Sequence, residues 1–72
     1  MSKIHSQKYQ EFLKRLRNAR KEAGMTQAEV AAVLGKPQSF ISKCETGERR
    51  VDIVELSEFA RLYSKTLDFF LT

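Results

Sequence analysis

Four polar side chains in one stretch, GKPQSFISKCETGERR (35–50), have the types and spacing to read a pattern of hydrogen bonds on a partner. Gln38 offers a donor and an acceptor side by side, Ser39 and Ser42 offer either, and Lys43 donates only. With successive residues roughly 100° apart around a helix axis, these four fill one side, and Phe40, Ile41 and Cys44 fall within one opposite arc that is expected to be buried. None of the four is acidic. The set suits the major groove of duplex DNA, where Gln pairs bidentately with adenine, Lys donates to guanine and Ser does either. A plain solvated face is the competing reading of the same residues.

Other chemistries lack their residues. One Cys and one His make neither an intramolecular disulfide nor a conventional structural zinc site. Paired carboxylates, a Cys–His arrangement and a phosphate-cradling glycine loop are all missing, so no enzyme is expected. The net charge of +4 is unevenly spread: eight Lys/Arg face three acids through Lys36, and five face six from Pro37 onward. A basic N-terminal half suits an anionic partner, and ordinary solubility charge accounts for it equally well. No apolar run approaches the roughly 20 residues of a membrane span. The opening MSKIHSQKYQ has no apolar core segment and does not read as a signal peptide.

The elements that must position these side chains are helical. Phe12, Leu13, Leu16, Ala19 and Ala23 recur at helical spacing and Gly24 follows, which predicts a helix over 8–23 behind a flexible tail at 1–7. Thr26 and Glu29 stand at capping-box spacing and Gly35 is a stop, giving a second helix at 27–34. Lys36-Pro37 then makes a tight connection into a third, about 37–45. Asp52 caps a fourth, with its apolar stripe at Ile53, Leu56, Phe59, Ala60 and Tyr63. A last short one covers 67–71, with Thr66 as its cap. No alternating run is long enough for a strand, so the expected class is all-α, one domain over 8–72.

Two short helices joined by a tight turn match the helix-turn-helix unit. The segment RLRNARKEAGMTQAEVAAVLGKPQSFISKCETGERR, extended through VDIVELSEFARLYSKTLDFFL, resembles the Xre family of Cro- and phage-repressor-like domains over residues 11–71. The resemblance implies a five-helix lambda-repressor-like bundle with helices 2 and 3 as the helix-turn-helix. It implies a sequence-specific transcriptional regulator, most simply a repressor, binding double-stranded DNA as a homodimer on a two-fold operator. Base reading falls to Gln38, Ser39, Ser42 and Lys43. Phosphate binding falls to Gln27, Lys36, Thr46, Arg49 and Arg50, with Gln27 also steadying the first base-reading side chain. Their bland alternative is a solvated cap region and turn. Arg20 and Glu45 match a salt bridge between the first and third helices in relatives.

In a five-residue last helix Phe69, Phe70 and Leu71 cannot all face the core, which makes Phe69 and Phe70 candidates for a dimer contact, against simple end-of-domain packing. Cys44 reads as core filler, with a redox switch as its alternative, and Ser64 stands where relatives often carry glycine. The resemblance implies no cofactor, metal, membrane or small-molecule ligand, and a cytoplasmic, nucleoid-associated protein of a prokaryote or phage. The rival function is a protein-interaction module such as an antitoxin or a transcriptional bridging factor.

Overall fold

A computed structural model of the protein describes residues 6–71. Five helices follow one another: α1 (Gln7–Glu22), α2 (Gln27–Leu34), α3 (Gln38–Thr46), α4 (Ile53–Leu62) and α5 (Leu67–Leu71). The Ser6 hydroxyl accepts the Tyr9 N–H at 3.1 Å, so α1 starts before the apolar periodicity does. Ser6 and Gln7 therefore belong to the folded domain rather than to the predicted tail, whose residues 1–5 lie outside the described residues. Both α2 and α4 open on a complete capping box, Thr26 with Glu29 and Asp52 with Glu55.

Three helices end the same way. After α1, the Gly24 N–H donates to the Lys21 carbonyl and the Met25 N–H to the Arg20 carbonyl. After α2, Gly35 and Lys36 repeat the pattern onto Ala32 and Ala31, and after α4, Ser64 and Lys65 repeat it onto Arg61 and Ala60. This paired closure needs a left-handed residue at its corner. Glycine supplies it at φ 71° for Gly24 and 68° for Gly35, but the third corner is Ser64 at φ 57°. A Cβ in that region costs about 1–2 kcal/mol, and glycine's looser unfolded chain gives back about 0.4–1 kcal/mol. Ser64→Gly is expected to raise stability by about 0.5–1 kcal/mol. A chemical-denaturation midpoint that falls on this substitution would refute the assignment of strain.

The core draws on every helix, with Leu16, Ala19, Val30, Ile41 and Cys44 at 0 % exposure and Phe59 and Phe70 at 1 %. Four apolar expectations need correction. Ile53 is 65 % exposed, because it follows the Asp52 cap directly and the buried stripe of α4 begins one turn later at Leu56. Ala23 is the solvent-facing C-cap of α1 rather than its last core residue. Phe40 is only partly buried, at the rim of the core. Phe70, assigned above to a dimer contact, packs edge-on against Phe12 and Phe69 inside the domain. The apolar residues that α5 leaves outside are Leu67 and Leu71. Among the described residues no helix is long and apolar enough to cross a membrane.

Candidate nucleic-acid interface

The connection from α2 to α3 is three residues, Gly35 to Pro37, and Pro37 sits at ψ 154° as the N-cap of α3. That extended conformation moves the start of α3 to Gln38, one residue past the predicted 37, and the helix runs on through Thr46. The N-terminus of α3 has no side-chain cap and no acid in its first turn. Such an end presents unpaired N–H groups to an anion. Gln38, Ser39 and Lys43 are exposed and Ser42 is half-buried, while Ile41, Cys44 and Glu45 face inward.

Glu45 is a charged residue at 2 % exposure, and its surroundings explain how it is tolerated. Arg20 meets its carboxylate as a fork: Nε donates to Oε2 at 2.7 Å and Nη2 to Oε1 at 3.2 Å. The third guanidinium nitrogen, Nη1, donates to the Met25 carbonyl at 2.9 Å in the α1–α2 turn. One arginine thus ties α1, that turn and α3 together. The hydrogen bond to Glu45 holds the Arg20 guanidinium more firmly protonated, against the opposing effect of burial. Arg17, one turn earlier, donates to the Glu45 carbonyl at 3.0 Å and anchors the end of α3. Tyr63 lies in the field of this pair, and burial pushes its phenol up so that it stays neutral.

The network continues to the surface. Gln27 Nε2 donates to Glu45 Oε1 at 3.0 Å, and Gln38 Nε2 points at Gln27 Oε1 at 3.5 Å. Four residues thereby run in series from the α1–α3 contact to the exposed face of α3. The second Nε2 hydrogen of Gln27 remains for an outside acceptor.

The loop after α3 is tied to the start of α4 by one of its two arginines. Arg49 meets Glu55 as a second fork, with both N–H···O distances at 2.7 Å, and this pair holds the Glu55 carboxyl below the usual carboxylate range. Glu55 also accepts the Asp52 N–H at 3.0 Å, so one carboxylate closes the capping box of α4 and clamps the loop. Arg49 keeps 41% of its side chain exposed, and the pairing with Glu55 offsets part of its charge at the phosphate clamp expected of it. Thr46 is similarly occupied: its hydroxyl donates to the Lys43 carbonyl and accepts the Glu48 N–H. Arg50 has no carboxylate partner among the described residues, and its guanidinium lies 4.7 Å from the Tyr9 ring centre. Lys36 rests over Phe40 at 5.1 Å, with Arg49 also on that ring at 4.7 Å. Phe40 is thus a cation platform at the edge of the core. Burial pushes the Cys44 thiol up, which suits an inert packing residue.

The geometry brings Gln27, Lys36, Gln38, Ser39, Ser42 and Lys43 into the region of the helix-turn-helix, with Arg50 on the loop beyond it. Three functional supports escaped sequence reasoning: Arg17, Tyr9 (whose hydroxyl accepts the Val51 N–H at 3.1 Å) and Glu55. Only Glu55 carried a readable signal, its capping-box spacing from Asp52.

A family model described as helix-turn-helix matches residues 16–70. No curated protein matches the chain. Among solved structures, an XRE-family like protein from Pseudomonas syringae pv. tomato str. DC3000 superposes with a TM-score of 0.84 at 47% identity, over 94% of this chain and 83% of that one. Sequence and architecture agree across nearly the whole length, and the chain belongs to the Xre family of DNA-binding helix-turn-helix regulators.

Proposed function

We propose that the protein represses transcription by laying α3 in the major groove of a two-fold-symmetric operator as a homodimer. The observation that carries this reading is the series Arg20–Glu45–Gln27–Gln38, which ends on an exposed amide beside Ser39, Ser42 and Lys43. A buried ionic network terminating on a solvated glutamine has little value for a bare surface. It has value for a side chain that must be held ready to read a base edge. Lys36, Arg50, the second N–H of Gln27 and the open N-terminus of α3 supply phosphate contacts around it.

Size supports the dimer. The protomer's longest dimension is 32 Å and it carries one such helix. Half-sites of phage-repressor operators lie roughly 34 Å apart, so a second half-site calls for a second copy. With Phe70 in the core, Leu67 and Leu71 on α5 are the apolar groups left to make that contact, beside the partly buried Phe69.

Selection from random duplex DNA tests the proposal. A two-fold-symmetric winner bound with steep salt dependence supports it; weak, uniform binding with no enriched sequence overturns it in favour of a protein-interaction module. On the winner, Arg50→Ala is expected to reduce the slope of log affinity against log salt by about one unit per protomer and to leave base preference unchanged. A changed preferred sequence in that variant would place Arg50 at a base edge instead.

A further inference from the structure

Arg20 can only donate and Glu45 can only accept, so the hydrogen-bonding sense of the series is fixed at its buried end. A carboxylate accepts and never donates, so the amide facing it must present its nitrogen. Gln27 does so, with Nε2 at 3.0 Å from Glu45 Oε1. Its oxygen is then turned toward α3, and Gln38 answers with Nε2 at 3.5 Å. That last step is long for a hydrogen bond, but its sense is set, because two amide oxygens facing each other would repel. Gln38 is left with its second N–H and its Oε1 directed outward.

We infer that Glu45 sets the base preference of Gln38 through Gln27, fixing the outward edge of Gln38 as one donor beside one acceptor and thereby selecting adenine over guanine. This rests on the DNA-reading function proposed above. Adenine shows an acceptor at N7 and a donor at N6 in the major groove, the complement of that edge. Guanine shows two acceptors, N7 and O6, which call for the reversed amide with both N–H groups outward. The reversed amide would put the Gln38 oxygen against the Gln27 oxygen. Glu45 touches no base. It is a positioning residue, buried with Arg20 at the far end of the series from the DNA.

The opposite hydrogen-bonding sense is within reach of one atom. In Glu45→Gln the substituted side chain keeps an oxygen for the shorter hydrogen bond from Arg20 Nε, gives up the 3.2 Å one from Nη2, and offers its NH2 to Gln27, which can reverse its amide to accept. Gln27 must then turn its oxygen inward and its NH2 toward α3, and Gln38 must accept from it. Both N–H groups of Gln38 then face outward, the edge that suits guanine.

The test uses the intact chain and the operator obtained by selection. The base pair read by Gln38 is located as the position whose preference disappears in Gln38→Ala. There, the wild type is expected to favour adenine over guanine by about tenfold or more. Glu45→Gln, confirmed folded by circular dichroism, is expected to lose that preference and move toward guanine. A purely structural role would lower binding to all sequences together and leave the preference intact, which would overturn the inference. Guanine preference in the wild type would overturn it too. If Glu45→Gln does not fold, Gln27→Met keeps the Arg20–Glu45 pair and cuts the series; the adenine-to-guanine ratio should then fall toward parity, and an unchanged ratio would refute the role. Should Gln38→Ala alter no position, the base-reading function itself fails, an outcome distinct from either of these.

Discussion

Glu45→Ala is expected to lower the unfolding free energy by about 3–5 kcal/mol, the range for breaking a buried ion pair from one side. The effect does not come from the attraction alone. Desolvating both charges offsets much of the Coulombic gain, so the intact pair is worth far less than the cost of breaking it. Without Glu45, the Arg20 guanidinium stays 13% exposed with only the Met25 carbonyl to accept from it, and Gln27 loses its inner partner. A domain of 72 residues has roughly 4–11 kcal/mol of total stability, so the variant should be largely unfolded near physiological temperature if the parent is at the low end. Urea denaturation of parent and variant measures the difference. A loss below about 1 kcal/mol would class the pair with surface salt bridges and undo its description as buried. The double variant Arg20→Met/Glu45→Leu separates pairing from packing: it should recover most of the lost stability, since no unpaired charge remains.

What could be read in advance follows from the range over which each interaction acts. The caps and stops of α2 and the start of α4 were legible because capping boxes and left-handed corners are written within four or five residues, as with Thr26 and Glu29 or Gly35. The inward set of α3, Ile41 and Cys44, followed from the helical period. Phe70 was misplaced because a five-residue helix makes little more than one turn, too few residues for a period to tell its inner side from its outer. Phe40 shares the core arc with Ile41, but it sits in the first turn of α3 close in sequence to Lys36, and the loop after α3 brings Arg49 onto the same ring. Arg49 and Glu55 carried no pairing signal, since one lies in a loop and the other opens a helix. The link from Glu45 to Gln27 spans 18 positions and depends on how α2 crosses α3. Resemblance supplied the Arg20–Glu45 and Gln27–Gln38 relations separately; their joining through one carboxylate oxygen is a property of the folded chain.

Gln38→Ala is expected to weaken binding to the selected operator by about 1–3 kcal/mol, or roughly 5- to 150-fold, for each half-site in which the side chain meets a base. Its affinity for random DNA should change by less than about twofold, because phosphate contacts supply nearly all of non-specific binding and Lys36 and Arg50 are untouched. The two readouts together divide specificity from charge. The side chain is exposed and its one internal contact is the 3.5 Å approach to Gln27, so truncation leaves the core intact and the melting temperature nearly unmoved. That sets it apart from Glu45→Ala, where the protein itself is at risk. Preorganisation places the effect toward the upper half of the range: a long glutamine that starts free loses rotamer entropy on binding, whereas this one is already aimed by Gln27. Titrations of both DNAs at one fixed salt concentration decide the matter. Equal losses on operator and random DNA would mean that Gln38 contacts the backbone, and the base-reading assignment would pass to Ser39, Ser42 and Lys43.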